Sequence, residues 1–278
     1  MEDEAGRLFV LEQIAPGQRQ KRILISRVLE KLYAAGIGQV IPYLATTTGE
    51  FLALSGGAWW QLSPYIPGSV LDRPAYIRDP RKGDALSGFL GALYRHAGQC
   101  LQSTSLPCFS LKNYILKLEA EMMLHDPDAV GRFSPVLEYL HRSFMEIHDK
   151  LPLGFCHGDY HPLNIIWRES AIAAVIDWEF CGLKIDIFDV ANLVGCVGME
   201  HPSGLMGDLV GTFIRGMRGA SVIAEESWQS LPEVVIALRF AWLAEWLRNK
   251  DREMIALESV YMNLLIDCRD RLRKAWSL

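Results

Sequence analysis

From residue 80 onward, apolar residues recur at helical spacing in segment after segment, and one short stretch breaks that rhythm. Leu86, Leu90, Leu93 and Ala97 share a face over 84–99, and 110–124 reads the same way. Leu137, Leu140, Phe144 and Ile147 mark a helix over 135–149, and Val235, Leu238, Trp242 and Trp246 mark one over 232–249. Leu257, Val260 or Tyr261, Leu264 and Cys268 mark the last, over 253–273. The exception is a strand-rich island, Ile165–Trp167 and Ala173–Ile176. Such a chain must build a helical body with a small hairpin set into it.

The front of the chain has a different texture. Leu8–Ile14 has strand character and ends at the Pro16-Gly17 break. Residues 19–35 carry Leu24, Val28, Leu32 and Ala35 on one helical face, and Gly36 and Gly38 stop the helix. Three short strands are expected over Val40–Ala45, Glu50–Leu54 and Ala58–Leu62, with Trp59 and Trp60 in the strand core. In Ser63-Pro64-Tyr65-Ile66-Pro67-Gly68 two prolines fix φ and a glycine releases it, so the boundary between parts is expected here.

Composition narrows the function. With half its 278 residues hydrophobic and 22% charged, the chain can bury a sizeable core. A net charge of −5 and the lack of a basic stripe argue against nucleic acid as a partner. The six cysteines include no C-x-x-C pair, which argues against zinc and redox motifs and fits a reducing cytoplasm. The acidic Met-Glu-Asp-Glu-Ala start leads us to expect no signal peptide, and no apolar run is long enough to span a membrane. Sequence signatures of P-loop ATPases, dinucleotide dehydrogenases, elbow-type hydrolases and zincins are absent.

The chemistry is concentrated around the island. Upstream stands His157-Gly158-Asp159-Tyr160-His161-Pro162-Leu163-Asn164, and downstream Ile176-Asp177-Trp178-Glu179. A hairpin brings its own ends together, so Asn164 and Asp177 should lie side by side. An amide oxygen beside a carboxylate suits Mg²⁺, which prefers hard oxygen ligands and keeps room for water and phosphate. Asp159 would then face the metal from the preceding loop, where an attacking hydroxyl needs a base. His157-x-Asp159-x-His161 also has metallohydrolase spacing, but a second His/Asp cluster is missing.

The run H-G-D-x-x-x-x-N, a hydrophobic strand and then I-D-W-E resembles the active-site loops of the aminoglycoside phosphotransferase and choline kinase superfamily. The resemblance implies an α+β, two-lobed, protein-kinase-like fold. A truncated small N-terminal sheet lobe over 1–66 would join a large helical C-terminal lobe over 67–278, with the hinge near 61–68. It implies transfer of the ATP γ-phosphoryl to a hydroxyl of a small molecule: an amino alcohol, a sugar or an aminoglycoside-like acceptor. Carried over by motif, Asp159 is the catalytic Asp and His157 braces its loop. Asn164 and Asp177 are the Mg²⁺ ligands, and Asp189 caps catalytic-loop backbone groups. Ser63, Tyr65 and Ile66 fall in the segment that meets adenine, and the acceptor is expected near 195–250.

Two departures matter. The third-strand Lys that contacts phosphates in this family is replaced by Glu12, and its helix Glu partner by Ile25; Lys21 is the nearest lysine. Only seven residues precede Leu8, so the Gly-rich phosphate cover is expected to be missing, through a late start or real divergence. The competing expectation is a catalytically impaired pseudokinase or a nucleotide-binding interaction module. Among secondary features, His161 is expected to pack under Pro162 and Glu179 to cap backbone. Trp242, Glu245 and Trp246 lie one helical turn apart, which offers either a cage for a cationic substrate or ordinary core with an exposed Glu. The 249–253 charges are expected in a solvated interhelix turn.

Overall fold

The computed structural model describes residues 1–278. β1 (Phe9–Ile14) is followed by α1 (Arg19–Ala34), β2 (Ala53–Ser55) and β3 (Ala58–Pro64). The three strands form an antiparallel sheet in the order β1-β3-β2, with Glu12 opposite Gln61. Ile25, Val28, Leu29 and Leu32 of α1 are buried. Buried Gln61 donates to Ser26 Oγ at 2.8 Å, which ties the sheet to the helix.

The strand expected over Val40–Ala45 does not form. Pro42 cannot donate to a ladder, and Val40 makes only a single parallel bridge to Val175. The strand expected over Glu50–Leu54 is shortened and shifted to β2. Trp59 and Trp60 are half-buried rather than core, and the Arg19 guanidinium lies 4.2 Å from the Trp59 ring centroid.

The rest is mostly helical: α2 (Pro80–Cys100), α3 (Leu111–His125), α4 (Pro127–Ser143) and α5 (Met145–His148) lead to β4 (Leu153–Cys156). The helix expected over 135–149 is thus two, and it starts earlier, where Asp126 caps the chain through Ala129 N–H. Then come β5 (Ile165–Arg168), β6 (Ala171–Val175), β7 (Gly182–Ile185), α6 (Phe188–Glu200), α7 (Asp208–Ala220), α8 (Glu225–Gln229), α9 (Leu231–Asn249) and α10 (Arg252–Ala275). Lys250 takes a left-handed conformation in the turn before α10, and Asp251 caps that helix.

One continuous core joins α1 to the helices that follow it. α2 and α7 approach at glycines. A Cβ on Gly216 would lie 2.1 Å from Ser87 Oγ, and one on Gly83 would lie 2.4 Å from the Leu209 carbonyl oxygen. None of the helices is long and apolar enough to cross a membrane.

The strands that matter for the site are nested. β4 pairs antiparallel with β7, and β5 with β6 inside them. The β4–β5 loop and the β6–β7 loop both run between the same two ladders, so they must lie together. The front of the chain docks on this hairpin. Ser69 N–H donates to the Trp167 carbonyl at 2.7 Å, and Val175 N–H to the Gln39 carbonyl at 2.9 Å.

Candidate active site

Backbone hydrogen bonds fix the two loops before any side chain acts. Ile176 N–H donates to the Asn164 carbonyl at 3.0 Å, extending the β5–β6 ladder so that Asp177 stands one residue past Asn164. Asp177 adopts a left-handed conformation with φ 65°, turning the chain away from the ladder. At the start of the first loop, buried Asp189 on α6 accepts from His157 N–H at 2.7 Å and Gly158 N–H at 2.8 Å. These bonds bind the loop to α6.

His157 joins one loop to the other. Its Nε2–H donates to the Ile176 carbonyl at 3.0 Å, and its Nδ1 accepts from Asp159 N–H at 3.2 Å. Both ring nitrogens are spent and the ring is fully buried, its centroid 4.5 Å from that of Trp178. Burial pushes its pKa down to about 4, so the ring is neutral. This removes the metallohydrolase reading, because His157 has no lone pair left for a metal.

Asp159 sits in a web of donors. Asn164 Nδ2 donates to its Oδ2 at 2.9 Å and to its carbonyl at 2.9 Å, and Asn192 Nδ2 lies 3.4 Å from Oδ1. His161 Nε2 lies 3.4 Å from Oδ2. Burial opposes the charge, but His161, His157 and Asn164 outweigh it and hold the carboxyl below its ordinary pKa. Asp159 is therefore an anion at neutral pH. With Nδ2 committed to Asp159, the amide oxygen of Asn164 is the atom left for a cation.

Asp177 is pushed the other way. Half-burial raises its pKa first, and the nearby carboxylates of Asp159 and Glu179 add to the shift. A field of crowded carboxylates is one that a divalent cation relieves. No three-residue His/Cys/Asp/Glu cage is present. The open pair Asn164 and Asp177 thus fits a hard cation that takes its remaining ligands from phosphate and water.

Some side chains have roles that the sequence did not give. His161 is not merely packed under Pro162: it accepts from Leu163 N–H and faces Asp159. Glu179 is not a backbone cap. Its Oε1 accepts from Arg22 Nη2, and Lys21 Nζ lies 3.8 Å from its Oε2. Buried Lys184 on β7 pins the Phe180 carbonyl. Of the expected adenine segment, Ser63 lies in β3, and Tyr65 N–H is spent on the Leu8 carbonyl at 3.0 Å. Ile66 N–H has no partner in the chain.

A model of the phosphotransferase enzyme family matches residues 2–221. The chain belongs to that family. A homoserine kinase from Phenylobacterium zucineum is 26% identical over 211 residues, covering 71% of this chain and 60% of the kinase. The chain thus spans less than two thirds of the length of that curated relative. Among solved structures, the amicoumacin kinase hAmiN in complex with AMP-PNP, Ca²⁺ and Ami superposes with a TM-score of 0.70 at 14% identity, covering 96% of this chain and 84% of that one. An aminoglycoside phosphotransferase from Alicyclobacillus acidocaldarius gives 0.66 at 15% identity, covering 99% and 89%. The GDP complex of aminoglycoside 2′-phosphotransferase-IIIa gives 0.62 at 17%, covering 95% and 86%. The family member described here shares their α+β, protein-kinase-like fold.

A cleft of about 320 Å³ opens at His161, the residue that faces Asp159, and is lined also by Cys196, Glu200, Arg239, Trp242 and Trp246. Its charges are already paired. Arg73 grips Glu200 in a fork at 2.8–3.0 Å. Buried Arg239 pairs with fully buried Glu258, and its guanidinium lies 5.6 Å from the Trp242 ring. Neither reading of Trp242, Glu245 and Trp246 holds in full. Both Trp rings line the cleft, but Glu245 turns to exposed Arg248 and Asn249. A larger surface concavity, about 780 Å³ and lined by residues of α3, α9 and α10, includes none of the loop residues.

Proposed function

We propose that this chain transfers the γ-phosphoryl group of ATP to a hydroxyl of a small molecule, with ATP held on the side of β1–β3 and the acceptor in the Trp242 cleft. The lobes would divide at 61–68, with Ile66 N–H offered to adenine. The observation that carries this reading is the shared position of an ionised Asp159, a free Asn164 amide oxygen and a crowded Asp177 at the mouth of two nested hairpins. Asp159 orients the acceptor hydroxyl and takes its proton. The acceptor oxygen bonds to the γ-phosphorus as the bond to the β–γ bridging oxygen breaks, and ADP leaves. Asn164 and Asp177 would hold Mg²⁺, which when bound neutralises charge on the phosphate oxygens. His157 and Asp189 fix the loop and do not touch the acceptor.

The cleft supports a compact acceptor. Its volume of about 320 Å³ lies at the small end of ligand pockets. Its carboxylates are matched by arginines, so a polycation finds little uncompensated negative charge. A hydroxy amino acid or small amino alcohol fits best, and the likeness to a homoserine kinase points the same way. ADP formation over homoserine, choline, glucose and kanamycin tests this. Turnover fastest with homoserine or choline is expected; kanamycin as the best acceptor would overturn the acceptor assignment. A pseudokinase would bind nucleotide and give no ADP with any of them.

A further inference from the structure

The strand position where the resemblance expects a phosphate-binding lysine holds Glu12, and the helix position where it expects a glutamate holds Ile25, which is 2% exposed in the core. The missing cation stands one helical turn earlier. Arg22 on α1 is only 9% exposed. Its Nη2 donates to Glu12 Oε1 at 2.7 Å and to Glu179 Oε1, and its Nη1 to Glu12 Oε2 at 3.3 Å and the Tyr43 hydroxyl at 3.4 Å. Its Nε is buried without a partner. Glu179 follows Asp177 by two residues, so this guanidinium stands beside the proposed cation ligands.

We propose that strand and helix have exchanged charges, so that Arg22 is the phosphate-binding cation of the nucleotide site and Glu12 is the carboxylate that holds it there. The inference rests on the phosphotransfer reading above. A guanidinium can do both tasks at once, because its planar fork presents five N–H donors. Here Glu12 engages both Nη atoms and holds the fork, Nε is buried, and the Nη2–H now given to Glu179 is the donor that a phosphate oxygen would take over. The local charge also requires it. Glu12, Glu179 and Asp177 face Arg22 and half-exposed Lys21, and a triphosphate approaching them unshielded would be repelled.

The test is calorimetric titration of the full chain, with Mg²⁺ present, by ATP and separately by adenosine. Arg22→Ala should weaken ATP about 10- to 100-fold, the worth of a charge-assisted hydrogen bond, and leave adenosine unchanged. Arg22→Gln keeps the stem as far as Cδ with a polar, uncharged end and serves if the alanine variant fails to fold; the same selective loss is expected. Unchanged ATP affinity in either variant overturns the proposal. So does a parallel loss of ATP and adenosine, which is the mark of a structural role. A wild type that binds neither ligand overturns the phosphotransfer reading itself, and the proposal with it.

Discussion

Substituting Gly158 with alanine probes the positioning of Asp159 without touching it. Gly158 has φ +89°, and a Cβ built there would lie 2.2 Å from the Phe180 carbonyl oxygen, 2.8 Å from its carbon and 2.9 Å from Lys184 Nζ. Ordinary contact begins at 3.4 Å, so something must move by 3.4 − 2.2, about 1.2 Å. Phe180 cannot yield cheaply, because Lys184 Nζ holds its carbonyl at 2.5 Å. The shift therefore falls on the loop, and Asp159 is the next residue. A displacement of ~1 Å at a reacting group costs on the order of 10²-fold in rate. The left-handed backbone and lost packing should cost about 2–4 kcal/mol of stability. ADP release with the best acceptor and urea unfolding would measure both. The control is Gly88→Ala, on the exposed face of α2 with nothing within 4 Å of the added Cβ. It should leave activity unchanged and stabilise by about 0.5–1 kcal/mol. A wild-type rate in Gly158→Ala would refute the loop-positioning argument.

Further expectations concern the groups that charge and brace the loop. Asp159→Asn should keep the fold and lose about 10²–10⁴ in kcat, and near wild-type turnover would eliminate Asp159 as base. Asp189→Asn presents an amide to two buried N–H donors and should lower stability by ~1–3 kcal/mol in urea unfolding. His157 titrates near 6.5 when unfolded and about 4 when folded, so the unfolded state gains the proton first and stability falls as pH drops through that window. The loss amounts to about 3 kcal/mol and should be absent from the pH profile of His157→Asn. Superimposable profiles would contradict the neutral, buried imidazole.

What the sequence disclosed was local. The side-by-side placement of Asn164 and Asp177 follows from a hairpin whose ends they flank, and hairpin pairing is short-range. What it withheld needed the tertiary fold. Arg22 meets Glu179 across 157 residues, and nothing near either position announces the other. β4 and β7 are four-residue runs, too short for a periodic signal, and they pair with each other across 25 intervening residues or more, with β7 also bridged to Cys108. α6 and α7 contain glycines that weaken helix propensity, yet close packing requires Gly198 and Gly216 among them. A Cβ on Gly198 would lie 2.1 Å from the Tyr261 hydroxyl. Chain order alone points to the adenine segment, and chain order does not reveal that Tyr65 N–H is spent on Leu8.

Titrating ATP into the full chain with and without Mg²⁺, for wild type and Asp177→Ala, addresses the site most directly. Saturable binding that needs the cation and disappears in Asp177→Ala is the expected result. Equal affinity in EDTA, or in the variant, would contradict the assignment of the Asn164–Asp177 pair as the seat of the metal-bound nucleotide.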